Sequence, residues 1–102
     1  MTDFPEEYRE GYVIFCGHRI IVDPRALIPR METEELVKYV LILLEKNPHI
    51  TFITDIGTGS GVIPVSIAHK APRSLEIMGT DMSQDALDLA RENFVSVQNS
   101  LI

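Results

Sequence analysis

The sequence predicts an α/β fold, and three features carry that prediction. The run Thr51 to Ile56 is rich in β-branched residues and reads as a strand. A glycine-rich turn at Gly57, Gly59 and Gly61 follows it and feeds an apolar segment, Val62 to Ala68, that begins like a helix. A second strand-like run, Leu75 to Thr80, then leads into a second helix, so strand and helix alternate as in the opening of a parallel sheet. A hairpin stands ahead of this βαβα unit.

Taken in order, residues 1–10 are polar and charged, include Pro5 and show no periodic pattern, so a flexible lead-in is expected. Residues 11–30 are a β-hairpin and a linker. The strand-like runs Tyr12–Cys16 and Arg19–Val22 are separated by Gly17-His18, which has the composition of a tight turn. Asp23-Pro24-Arg25-Ala26 is a turn, and Pro29 holds Leu27-Ile28 extended. Residues 31–102 form the βαβα-bearing domain. Thr33 is the expected N-cap of its first helix, with Glu34 and Glu35 in the first turn, where the helix dipole favours negative charge. Leu36, Val37, Val40, Leu41 and Leu44 recur at helical spacing and are assigned to the core, and Lys46-Asn47-Pro48 ends the helix. Beyond the glycine turn, a cap at Ser60 or Gly61 places Pro64 in the first helical turn, where its missing N–H has no intrahelical bond to lose. Ala71-Pro72-Arg73-Ser74 closes that helix. Ser83 caps the last one, which shows Ala86, Leu87, Ala90 and Phe94 on one face; beyond Phe94 the pattern fades.

Composition narrows the function classes. A chain of 102 residues is at most one small domain, burying about two-thirds of its unfolded surface. Its net charge is −6, with acidic groups in Asp3, Glu6, Glu7 and Glu10 and again in Glu32, Glu34 and Glu35. That argues against nucleic-acid binding by charge, which needs clustered Lys and Arg. The single cysteine, Cys16, excludes an internal disulfide, fits a reducing compartment and reads as a small apolar strand residue rather than a nucleophile. His18, His49 and His69 have no metal-ligand spacing, so no metal site is expected. The N-terminus lacks a signal-peptide pattern, and the apolar run Leu36–Leu44 is too short to span a bilayer and contains Lys38. A cytoplasmic chain without a membrane partner is expected.

The glycine turn points to a nucleotide-like ligand. Three glycines at alternate positions leave the main chain without Cβ atoms where a strand feeds a helix, so a ligand can approach closely and meet unpaired N–H groups there. A dinucleotide fingerprint G-x-G-x-x-G is not met, because Val62 stands where the third glycine belongs counting from Gly57, and Pro64 counting from Gly59. Instead Asp55 lies two positions before Gly57-Thr58-Gly59-Ser60-Gly61. A carboxylate there repels a pyrophosphate but tolerates an ammonium and a sulfonium. Asp81 closes the second strand, where a carboxylate can take both ribose hydroxyls of an adenosine; a helix-capping or turn role in Asp81-Met82-Ser83 is the plainer alternative.

These residues resemble the class I S-adenosylmethionine-dependent methyltransferases. The stretch Leu27-Ile28-Pro29-Arg30-Met31-Glu32-Thr33-Glu34-Glu35-Leu36-Val37 sharpens the resemblance, being similar to the signature IPRPETEELV of the peptide-chain-release-factor glutamine methyltransferases, the HemK family. Asp55–Gly61 and Gly79–Leu87 fall in that family's order and spacing, and the matching blocks run from about Tyr12 to Asn93. Met31 departs from the family, which usually has a second proline there. The resemblance implies a Rossmann-like sheet and an S-adenosylmethionine site formed by Asp55, Gly57, Thr58, Gly59, Ser60, Gly61 and Asp81. Arg30 and Glu32 frame the rim of that site by resemblance, or form a surface ion pair that fixes the turn.

The resemblance also implies what this stretch lacks. The family's helical domain, which precedes the hairpin and helps dock the protein substrate, has no counterpart here. The tetrapeptide Asn-Pro-Pro-Tyr, which grips the target glutamine amide in the family, follows the fourth strand, and no Asn-Pro-Pro occurs in this sequence. The expectation is an incomplete domain: an S-adenosylmethionine-binding portion with no catalytic residue of its own and a release factor as partner by resemblance. An unpaired sheet edge at Phe52-Ile53 would then favour self-association or a complementing chain. A nicotinamide-binding fragment and a non-catalytic interaction module are the rival readings.

Overall fold

The structure, a computed structural model, describes residues 5–101, with side chains for residues 5–95. The elements are α1 (Glu6–Glu10), β1 (Tyr12–Phe15), β2 (His18–Ile21), α2 (Glu32–Lys46), β3 (Phe52–Ile56), α3 (Val62–Lys70), β4 (Glu76–Thr80) and α4 (Gln84–Leu101). The hairpin and the βαβα unit are both present. β1 and β2 pair antiparallel, with Phe15 opposite His18 and Tyr12 opposite Ile21. β3 and β4 pair parallel, Phe52 opposite Glu76 through Ile56 opposite Thr80. Parallel neighbours cannot be joined by a tight turn, and α3 makes the crossover between them.

Four local features depart from the sequence expectations. The stretch ahead of the hairpin is helical at α1, because Gly11 in a left-handed conformation (φ 84°) closes a turn by donating to the Glu7 carbonyl. The hairpin turn is Cys16-Gly17, one residue earlier than Gly17-His18. Both residues have positive φ, 50° and 81°, which matches the twist of the flanking strands. Glu34 Oε2 accepts the Cys16 N–H at 2.9 Å and ties this turn to the start of α2. Thr33 is not the N-cap of α2, since Met31 occupies that position and no side-chain oxygen caps the helix. The Thr33 and Glu34 N–H groups instead donate to the Arg30 and Met31 carbonyls at 3.0 Å, winding the chain earlier than a hydroxyl cap would. Finally, α4 runs on to Leu101, past the point where the apolar pattern fades.

One core joins the two parts. Phe15, Ile20 and Val22 from the hairpin, Val37 and Leu44 from α2, and Val62, Val65 and Ile67 from α3 form a single buried cluster. α3 is buried on nearly every side, Pro64 and Ser66 included, as expected of a helix packed between the sheet and its neighbours. Pro64 lies in its first turn, with Gly61 as N-cap. β3 alternates strictly, and β4 does so as far as Gly79. Ile53 and Ile77 pack against the core, whereas Phe52, Ile56 and Met78 face outward and are 50%, 86% and 49% exposed. α2 behaves differently from its reading: Leu36, expected inside, is 48% exposed, and Tyr39, Ile42 and Leu43 lie open beside it.

Two side chains staple the chain where sequence pattern is silent. The Arg73 guanidinium donates to the carbonyls of Leu44, Asn47 and Ile50 at 2.9, 3.0 and 2.8 Å, holding the end of α2 and the turn that leads into β3. Those carbonyls belong to a helix end and a turn with few backbone partners, so a fork of donors satisfies several at once. The rings of His18 and His69 stack at 3.6 Å between centroids, and this contact seats the start of β2 on the last turn of α3.

Candidate functional site

A cleft of about 860 Å³ opens where β3 and β4 end. Its floor is Gly57 to Ser60 with Asp81, and its opposite wall is the segment Arg25–Arg30 that follows the hairpin. Of the seven residues singled out by sequence, five line it: Gly57, Thr58, Gly59, Ser60 and Asp81. Asp55 and Gly61 do not. Asp55 is half-buried in β3, and its Oδ2 is buried without a hydrogen-bond partner. Gly61 caps α3 at φ 81°, and a Cβ there would meet the Cβ of Ala90 at 3.0 Å, so this glycine serves helix packing.

The loop matches the expected cradle of free amides only in part. The N–H groups of Gly57 and Thr58 both donate to the Thr80 carbonyl, at 2.8 and 2.7 Å, and the Gly61 N–H donates to the Thr58 carbonyl at 2.9 Å. The Gly59 N–H donates to Asp81 Oδ2 at 2.9 Å. Positive φ at Gly57 (76°) and Gly59 (58°) curls the loop back onto the end of β4, and its donors are taken up there. Nothing lies within 4 Å of where a Cβ would stand on either glycine, so the surface over them is open. Four loop amides are thus engaged within the fold, while the N–H groups of Ser60, Val62 and Ile63, residues that also line the cleft at the start of α3, make no hydrogen bond to the described residues of the protein.

Side-chain oxygens in and beside the loop are unpartnered too. Thr58 Oγ1 and Ser60 Oγ are buried with no partner, as is Asp55 Oδ2. Asp81 accepts from the N–H groups of Gly59 and, at 2.9 Å, Ser83, so it serves both the turn and the cleft. Those amides, that of Ser83 foremost, hold its carboxyl below its ordinary value near 3.8. It stays ionised at neutral pH, with the Met82 amide a further contributor, and its two oxygens together have more lone-pair directions than these amides use. Thr58 reaches its place only because residue 79 is glycine: a Cβ at Gly79 would stand 2.8 Å from Thr58 Oγ1.

The wall is tied down from two sides. Tyr8 donates its hydroxyl to the Ala26 carbonyl at 2.9 Å, and Arg25 bridges Asp23 and Glu92 at 2.8 and 2.7 Å. Arg30 lines the cleft, but Glu32 does not, and no ion pair joins the two among the described residues. Sequence reading missed Tyr8, Arg25 and the buried Asn93, whose contacts are given below. The Arg25 link was signalled only by Asp23 two residues away. Cys16 lies outside the cleft; burial, then Glu34, pushes its thiol up from the ordinary value, as suits a structural residue. No cluster of three metal-ligating side chains occurs among the described residues.

Residues 31–101, the stretch that carries the glycine loop and Asp81, match the family model described as methyltransferase small domain. The chain belongs to that family. Among its relatives, the release factor glutamine methyltransferase of Streptococcus pneumoniae is 48% identical over 89 residues, covering 87% of this chain and 31% of the relative. The enzyme of the same name from Enterococcus faecalis is 40% identical over 94 residues, covering 91% and 32%, and that of Lactococcus lactis is 45% identical over 89 residues, covering 87% and 32%. The chain thus spans about a third of the length of these curated relatives. Among the described residues, no helix is long and apolar enough to cross a membrane.

Proposed function

We propose that this chain is the S-adenosylmethionine-binding portion of a release factor glutamine N-methyltransferase, built on the opening βαβα of a Rossmann-like sheet. The observation that carries the reading is the Asp81 carboxylate at the end of β4, held ionised on the floor of the cleft beside a glycine loop left bare of Cβ atoms. A pyrophosphate on this loop would face the Asp81 carboxylate and find the amides of Gly57, Thr58, Gly59 and Gly61 already bonded, which disfavours the nicotinamide dinucleotide reading. An adenosyl ligand bearing hydroxyls and an ammonium needs acceptors. The relatives' names supply the methyl acceptor: the glutamine of a release factor.

The residues fit that ligand in the following roles. Asp81, ionised and with lone pairs to spare, receives the two ribose hydroxyls. The unpartnered hydroxyls of Thr58 and Ser60 take the remaining polar groups, directly or through water, and Asp55, outside the cleft lining, reaches them only through water. Gly57 and Gly59 leave the main chain bare, so the ligand lies close against it. The bound cofactor supplies a methyl group on a sulfonium, ready for transfer to a nucleophile. The chain contributes binding and orientation, and positioning is where most of the rate of such a transfer arises. With no Asn-Pro-Pro sequence to hold a glutamine amide, it does not catalyse alone. The free thiol of Cys16 fits the reducing cytoplasm in which a release factor would be met.

Calorimetric titration with S-adenosylhomocysteine tests the reading. The unaltered chain is expected to bind, and Asp81→Ala to bind about a hundredfold more weakly or not at all, as befits losing a charged acceptor of two hydrogen bonds. No binding by the unaltered chain, or equal binding by the variant, would overturn it.

A further inference from the structure

Asn93 is the most deeply buried polar side chain in α4 among the described residues, 1% exposed, and three of its hydrogen bonds reach two parts of the molecule that sequence keeps far apart. Its Oδ1 accepts the Ile21 N–H at 2.8 Å, and its Nδ2 donates to the Ile21 carbonyl at 3.1 Å. The same Nδ2 donates to the Ser60 carbonyl at 2.9 Å. The orientation of the amide is fixed by this set, since a flipped group would face an N–H with an NH2 and a carbonyl with an oxygen. Ile21 stands opposite Tyr12 at the open end of the hairpin. Counting from the Phe15–His18 pair beside the turn, this is a position whose backbone groups point away from the partner strand. Asn93 therefore acts as a side-chain substitute for a third strand on the outer edge of β2.

Both groups it grips are parts of the cleft. Ser60 belongs to the floor, between Gly59, which Asp81 holds, and the cap of α3. Ile21 leads directly into residues 22–30, the wall. The neighbouring residue on α4, Glu92, holds that wall again through Arg25 at 2.7 Å. We propose that Asn93 is a positioning residue that sets the span between floor and wall, so that ligand binding on the glycine loop and seating of the hairpin are thermodynamically coupled. The inference rests on the adenosyl-ligand reading and specifies how that site is regulated. Reciprocity follows: whatever seats the hairpin tightens the cleft, and an occupied cleft seats the hairpin.

The test combines calorimetry with amide hydrogen exchange. Asn93→Ala, checked for folding by circular dichroism, is expected to bind S-adenosylhomocysteine about tenfold more weakly, ~1.4 kcal/mol. In the unaltered chain the ligand is expected to slow exchange of the Ile21 N–H more than that of the His18 N–H at the turn end, a difference that a purely structural asparagine would not produce. Equal affinity in a folded Asn93→Ala overturns the coupling. So does ligand protection that leaves Ile21 no slower than His18, and that arm holds even if the variant does not fold. Failure of the unaltered chain to bind is a different result: it removes the ligand reading itself, and the coupling with it.

Discussion

A single added methyl at residue 79 shows how tightly the loop is built. Its carbon would stand 2.8 Å from Thr58 Oγ1 and 3.0 Å from Thr58 Cβ and Cγ2. Alanine ordinarily helps a strand relative to glycine by about 0.5–1 kcal/mol, while overpacking costs about 1–3 kcal/mol. The overpacking should prevail, because Thr58 is buried and its backbone N–H is held by the Thr80 carbonyl, so the side chain has little room to yield. Gly79→Ala is expected to destabilise the chain by about 1–2 kcal/mol in urea titration, and Thr58→Ala in the same chain to restore most of that loss. Sequence made the turn glycines legible because they alternate after a strand. It could not show that Gly61 faces Ala90 or that Gly79 faces Thr58, since both depend on contacts between segments. Asp81 was legible as a carboxylate at a strand tip; that it also consumes the Gly59 amide was not.

At the scale of elements, the seam between hairpin and α3 carries a titratable contact. His18 and His69 stack face to face, and burial, followed for His18 by the charge of His69 and for both by Lys70, holds each imidazole below its ordinary value near 6.5. The neutral rings are thus favoured in the fold, while the unfolded chain takes up protons first as pH falls. The stabilising contribution is complete above pH 6.5 and is lost as pH drops from there toward the lowered folded values. Thermal melting should show a Tm that is level above neutrality and declines as pH falls below about 6.5, and His69→Phe should flatten that decline. Asp23 and Asp81, both held below 3.8, contribute their loss at lower pH and do not obscure the window. The elements themselves were largely readable from periodicity, hairpin and βαβα included. Their faces were less so. Leu36 turned outward because α2 buries the line Val37–Leu44. In α4 the buried line includes Leu89 and Asn93, and a polar residue in the middle of an apolar face breaks the pattern that a sequence reader counts. Arg73, lying among Pro72 and Ser74, read as loop although it closes the end of α2.

The whole molecule shows two unlike surfaces. One is the acidic, polar exterior of a chain with net charge −6. The other is the outer face of β3 and β4, where Phe52, Ile56 and Met78 lie open and β3 has no second neighbour among the described residues. An unpaired edge beside exposed apolar side chains favours association between copies. Sedimentation of the chain is expected to depend on concentration, and Phe52→Lys with Ile56→Lys to suppress that dependence; a single monomeric species at high concentration would contradict it. The same molecule-wide view gives the self-sealed loop a cellular meaning. ATP shares its adenosine with the proposed ligand and is abundant in living cells, so any adenosyl site works in the presence of a large pool of look-alikes. A competitor reduces occupancy only in proportion to its concentration over its own dissociation constant. Here its triphosphate meets amides already bonded to Thr80, Asp81 and Thr58, an ionised Asp81 and a negatively charged exterior. On the proposed reading, the Asp81 charge and the engaged loop amides would discriminate against a triphosphate, and the energy charge of the cell would not decide whether the cleft is filled.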